Sequence, residues 1–201
     1  MKVLKFGGTS VGSSKNINNV INILQDYAKK DTVICVVSAV GGITDKLLLA
    51  GKLAQNKDIS FIDTFNEIRD AHFDIIKELN PNKSESILAF VDEKLNELKS
   101  LLDGIYLINE LSPKTSDKLV SFGELLSSYI IAETMKNRGL SAASKNSQEL
   151  VITNSNFTKA EVNYSITNRN LQEYFNTTSQ QITILPGFIS KSQIGEQTTL
   201  G

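Results

Sequence analysis

The sequence predicts an α/β protein organised around a parallel sheet, and three features predict it. The first 37 residues read as strand, glycine turn, amphipathic helix, strand, a βαβ unit that requires parallel strands and a right-handed crossover. Three apolar runs, Val3 to Phe6, Val33 to Val37 and Ile182 to Leu185, each lead into a turn that contains glycine. Long stretches of helical apolar spacing fill most of the chain between the second run and the third.

The elements follow in order. Ser13 and Ser14 are good N-caps for a helix whose apolar positions are Ile17, Val20, Ile21 and Leu24. Val33 to Val37 is continuous and apolar, as a strand buried on both faces should be. A helical insertion spans about 45–102, in three pieces: Asp45 to Asn56, Phe61 to Leu79, and Ser84 to Leu102. Asn80-Pro81-Asn82 separates the second piece from the third, and Asp103-Gly104 is expected to end the third. Packing is the preferred role for these stripes, with a lid or an oligomer surface as the alternative. A further helix is expected from about Thr115 to Arg138, stopped by Gly139, and another near 162–175. Ile189 to Gly201 has the pattern of a hairpin that turns around Ser192–Glu196.

Composition narrows the function classes. With 21 basic and 22 acidic residues there is no charge footprint for nucleic acid or an anionic membrane. No apolar run is long enough to span a bilayer, and the glycine turn begins too early for a leader peptide, which points to a cytoplasmic protein. The single Cys35 excludes an internal disulfide and reads as a small core residue. His72, the one histidine, has no second ligand at metal spacing and reads as a surface or helix-packing residue.

Chemistry concentrates at two places. Lys5-Phe6-Gly7-Gly8-Thr9-Ser10 puts a cation, flexible backbone N–H groups and two hydroxyls within six residues, a set suited to a phosphoryl group. A helix starting at Ser13 or Ser14 would add its free N–H groups. The same segment is also what an ordinary strand, turn and helix would supply, and local chemistry leaves both readings open. Ser38-Ala39-Val40-Gly41-Gly42-Ile43-Thr44 repeats this design after the second strand, and ligands bind at that edge of open parallel sheets. Glu124 is the other place. It falls off the apolar stripe of its helix, and its neighbours at helical spacing are Val120, Ser121, Ser127 and Ser128. That face is open to a polar ligand, or is simply solvated.

These segments together resemble the aspartokinases of the amino-acid kinase superfamily. Lys5-Phe6-Gly7-Gly8-Thr9-Ser10-Val11, Ser38 to Thr44, Ser121-Phe122-Gly123-Glu124 with Ser127, and Pro186-Gly187-Phe188-Ile189 match the family's motifs in order and spacing. The resemblance implies a three-layer α/β/α fold with a mainly parallel sheet. It implies transfer of the γ-phosphoryl of ATP, with Mg²⁺, to the β-carboxylate of L-aspartate, as in the synthesis of lysine, threonine and methionine. Lys5 would stabilise the transferring group, and Gly7, Gly8, Thr9 and Ser10 would line the phosphate side. Ser38, Ala39 and Thr44 would line the aspartate side, Glu124 would pair with the α-ammonium, and Phe188 would offer backbone contacts. No metal ligand is expected within this chain.

Family members continue past Leu200-Gly201 into an Arg-x-Gly-Ser-Asp segment, most of a nucleotide lobe and regulatory domains. The resemblance therefore implies that residues 1–201 are the amino-acid substrate lobe, inactive or nearly so alone, from a homo-oligomeric parent. A half-complete sheet would also expose a strand edge open to association. Two other readings compete: a kinase of the same superfamily acting on acetylglutamate or UMP, and a non-catalytic binding or assembly module.

Overall fold

Residues 1–200 are described by a computed structural model. Gly201, placed at the end of the expected hairpin, lies outside the described residues. A four-stranded parallel sheet has the order β1 (Lys2–Phe6), β2 (Val33–Val37), β5 (Ile182–Pro186), β3 (Ala142–Ser144). The smaller sheet pairs β4 (Ile152–Thr153) in parallel with β6 (Ile189–Ser192), and β6 antiparallel with β7 (Gln197–Thr199). The β6–β7 pair is the expected hairpin.

The large sheet is covered on both faces, which gives the expected three layers. On one face α1 (Ser14–Ala28) and α5 (Pro113–Asn137) pack directly on the strands. Val33, Cys35, Val37, Ile182 and Ile184 point into this core. On the other face Ile34, Val36 and Leu185 pack with Leu150, Val151 and the Leu171, Tyr174 and Phe175 side of α6 (Tyr164–Thr177). That second layer does not extend over β1. Alternation puts Val3 and Lys5 on one face of the strand, and Val3 is 65% exposed.

The helical insertion packs rather than hangs free. Helices α2 (Ile43–Gln55), α3 (Phe61–Leu79) and α4 (Glu85–Ile108) contact one another and α5, and their stripes join the principal core. Fully buried Leu47, Ile68, Leu98 and Leu102 are examples. The end of α4 differs from expectation. The helix runs through Asp103-Gly104 to Ile108 and stops at Asn109, which takes a left-handed φ of 58°. Ile105 continues the buried spacing of Leu98 and Leu102, so packing outweighs one helical glycine.

Cys35 and His72 are both buried in this core. The Cys35 thiol is buried, and desolvation pushes its pKa up to about 12, which makes it unreactive. His72 is fully buried within α3, a helix-packing residue and not a surface one. Its Nδ1 donates to the Ile68 carbonyl at 2.7 Å, and burial lowers its pKa. Among the described residues no helix is long and apolar enough to cross a membrane.

Candidate functional site

Register creates the site. Phe6 pairs with Val37, and Val37 with Pro186, so β1, β2 and β5 end level with one another. The ladder continues one step into the turns: the Ser38 N–H donates to the Phe6 carbonyl at 3.2 Å, and the Gly187 N–H to the Val37 carbonyl at 3.0 Å. Three glycine-containing turns therefore lie side by side at the carboxyl edge of the sheet, where ligands bind in open α/β folds.

A cleft of about 400 Å³ opens among them, lined by Lys5, Gly7, Val37, Ser38, Thr44, Glu124, Gly187 and Phe188. Six of the ten sequence-predicted site residues are in that set. Lys5 is exposed and makes no ion pair among the described residues. Thr44 is the second residue of α2, so this helix opens its N-terminus and positive dipole end onto the cleft. Gly42 allows that entry by taking a left-handed φ of 78° as the N-cap.

Four predicted residues lie elsewhere. Thr9 and Ser10 are exposed beside a separate shallow depression with Asn16, Asn19 and Ile23. They sit in a short 3-10 turn, Gly8–Val11, that precedes α1. The helix whose first turn lines the cleft is α2. Ser13 Oγ accepts from the Asn16 N–H, and Ser14 Oγ donates to Glu78. Gly8 and Ala39 lie against each other outside the cleft lining. A Cβ on Gly8 would lie 3.2 Å from the Ala39 carbonyl oxygen, so the first two turns touch backbone to backbone. Ala39 is buried against α5, where a Cβ on Gly123 would come within 2.8 Å of its own.

Helix α5 supplies the acid. Ser112 caps it by accepting from the Thr115 N–H, and Pro113 occupies its first turn. Gly123 lets it approach the second turn, and Ser127 Oγ donates to the Ser38 carbonyl at 2.7 Å. Glu124 then enters the cleft only 7% exposed. One of its oxygens accepts from the Phe188 N–H at 2.7 Å. Burial raises its pKa to about 7, against the lowering effect of the Phe188, Gly187 and Ile189 N–H groups and the Lys5 charge. The carboxylate is consequently close to half-ionised near neutral pH and gains from any cation that enters.

The site combines an exposed cation, open turn backbone, a helix N-terminus and a buried carboxylate, which suits a ligand with both negative and positive charge. No cluster of three or more His, Cys, Asp or Glu able to hold a metal occurs among the described residues. A larger groove of about 620 Å³ runs between α4 and α5 and includes Phe90, Lys118, Tyr129 and Gln148 but none of the ten predicted residues. Sequence reasoning did not single out Asp117, a buried acid on α5.

Comparison with known proteins agrees with the fold. Aspartokinase 1, chloroplastic, of Arabidopsis thaliana is 35% identical over 99% of this chain, which covers 35% of that protein. A bifunctional aspartokinase/homoserine dehydrogenase 1 of Zea mays is 29% identical over 98% of the chain and 22% of its own length. The chain thus spans about a third or less of these curated relatives. The crystal structure of E. coli aspartokinase III in complex with aspartate and ADP superposes with a TM-score of 0.88 at 28% identity, covering 99% of this chain and 43% of that one. The family model for the amino acid kinase family matches residues 1–201, and the chain belongs to that family.

Proposed function

We propose that this chain is the amino-acid-binding part of an aspartate kinase, the phosphotransferase that passes the γ-phosphoryl of ATP to the side-chain carboxylate of L-aspartate. The observation that carries the reading is Glu124: a buried carboxylate with a raised pKa, in the same cleft as the exposed Lys5. Aspartate offers an ammonium for the first and a reacting carboxylate for the region of the second. The aspartokinase relatives and the aspartate- and ADP-bound structure support the choice of substrates.

In this reading Glu124 holds the α-ammonium, and the Phe188 turn and Ser38 orient the rest of the amino acid. Lys5 stabilises the charge on the phosphoryl oxygens as the side-chain carboxylate attacks phosphorus and the ADP oxygen leaves. Gly7 lets that group approach the backbone, and Thr44 brings the start of α2 to the same negative charge. Mg²⁺, when bound together with the nucleotide, would supply further charge neutralisation. Positioning and electrostatics account for the catalysis, with no covalent enzyme intermediate. The cleft offers the Lys5 ammonium to a nucleotide phosphate and the Glu124 carboxylate to the amino acid.

Calorimetric titration with L-aspartate tests the substrate, and N-acetyl-L-aspartate is the control that lacks the ammonium. Binding of the first and not the second is expected. Equal binding of both, or of neither, overturns the assignment. In the full-length gene product, Lys5→Ala should lower kcat by about 10²-fold or more, the usual loss when a charge-stabilising group is removed. An unchanged kcat would remove Lys5 from the mechanism.

A further inference from the structure

Asp117 lies seven residues before Glu124 on α5, two turns away on the same face of the helix. It is 1% exposed and does not line the cleft. Its carboxylate has no cation partner among the described residues, yet its hydrogen bonding is dense. It accepts from the Thr158 N–H at 2.9 and 3.1 Å, the Thr199 N–H at 3.1 Å and the Thr199 hydroxyl at 2.6 Å. A buried carboxylate without a counter-ion is costly unless its lone pairs are filled in this way. Thr158 also holds a left-handed φ of 68°, unfavourable for a β-branched residue, so the loop is fixed in a conformation it would not choose alone.

Thr199 connects this anchor to the cleft. It is the last residue of β7, and the next residue, Leu200, donates its N–H to the Phe188 carbonyl at 3.0 Å. The Phe188 N–H donates to Glu124 at 2.7 Å. Both polar groups of Phe188 are therefore restrained, and each restraint leads back to a carboxylate on α5. The Ala160 N–H, bonded to the Thr199 carbonyl at 3.0 Å, closes the arrangement from the loop side.

We propose that Asp117 is a positioning residue for the candidate site, holding the Phe188 turn over the cleft through Thr199 and Leu200. Its use follows from the role given to Glu124, on which this inference rests. When a ligand ammonium competes for the Glu124 carboxylate, the Phe188 N–H loses part of its anchor. The bond from Leu200, kept in place by Asp117, then holds the turn. A fold anchor alone would stabilise the chain as a whole; a positioning residue acts selectively on Phe188.

The test measures amide hydrogen exchange by NMR and L-aspartate affinity by calorimetry, in the chain and in its Asp117→Asn and Thr199→Val variants. In Asp117→Asn the Phe188 amide should exchange about tenfold faster or more, relative to the Cys35 and Ile184 amides of the central strands, and Kd for aspartate should rise by a similar factor. Thr199→Val removes only the hydroxyl bond, so it decides the matter if Asp117→Asn does not fold; about threefold changes in the same direction are expected. Unchanged relative exchange at Phe188 in a folded variant overturns the proposal, as does a uniform acceleration of all three amides. Failure of the unsubstituted chain to bind aspartate would refute the substrate assignment instead, and the exchange measurement would still decide the role of Asp117.

Discussion

If Glu124 is the ammonium-binding group, aspartate affinity must depend on pH in a window that the ligand's own groups do not produce. The carboxyls of aspartate ionise well below neutrality and its ammonium titrates well above. Burial sets the Glu124 pKa to about 7 in the empty cleft. An ammonium binds well only to the ionised carboxylate. The ionised fraction rises from about a tenth at pH 6 to about nine tenths at pH 8, so the apparent Kd should fall about tenfold between them. At pH 7 binding should release about half a proton, readable as a heat that differs between buffers of different ionisation enthalpy. His72, the single histidine, is buried within α3 with its pKa lowered and does not line the cleft. Glu124→Gln should abolish the slope and weaken binding at pH 8 by about 2 kcal/mol, roughly thirtyfold, the scale of a hydrogen bond to a charged group. A flat Kd from pH 6 to 8 in the unsubstituted chain, or the same slope in Glu124→Gln, would refute the assignment.

The same carboxylate affects stability with a definite sign. Its folded pKa of about 7 exceeds the ordinary 4.5, so the unfolded chain releases this proton first, and stability falls as pH rises from about 4.5 to 7. Glu124→Gln should therefore raise stability at pH 8 by up to about 3 kcal/mol, near 1 M in the urea midpoint, and leave it unchanged at pH 4. An equal shift at both pH values would contradict the raised pKa. Gly123→Ala should cost about 1–3 kcal/mol and weaken aspartate binding, because the new methyl lies 2.8 Å from the Ala39 Cβ and must push α5 away from the turn carrying Ser38. Gly7→Ala, whose methyl meets no protein atom within 4 Å, should keep the melting temperature; a destabilisation equal to that of Gly123→Ala would mean that the cleft geometry is wrong.

The parts of this structure legible in the sequence are those encoded by local pattern. The runs at β2 and β5 are continuous because both faces of the sheet are covered there, and the stripes of α1 to α5 follow helical spacing. Lys5 and Ser38 stand out in the sequence because each sits at the end of a strand, Glu124 because small residues surround it, and Phe188 only through the family resemblance. Strands β3 and β4 were not legible: three residues and two residues carry no measurable alternation, and their pairing to β5 and β6 is decided by tertiary contact. Asp117 was invisible for a related reason. An aspartate near the start of a helix looks solvated, and the N–H groups that bury it arrive from residues 158 and 199. Thr9 and Ser10 show the converse: their sequence suits phosphate, but a 3-10 turn directs them to another depression.

The division of labour in the cleft follows from where each charge is held. Lys5 projects from an edge strand on a face that α6 does not cover, so its ammonium stays hydrated and available. Glu124 projects from a helix pressed into the core, so near neutral pH its charge is partly suppressed and a cation would favour it. An anion alone would satisfy Lys5 and leave Glu124 without a cation partner. A cation alone would ionise Glu124 and gain nothing from the turn backbone. A ligand that carries an ammonium and a carboxylate engages both, and its ammonium creates the negative charge that holds it. In the proposed reading, selectivity for an amino acid over a simple dicarboxylate would follow from burying the acid and exposing the lysine. Exchanging those two environments would lose it even with every residue of the motifs retained.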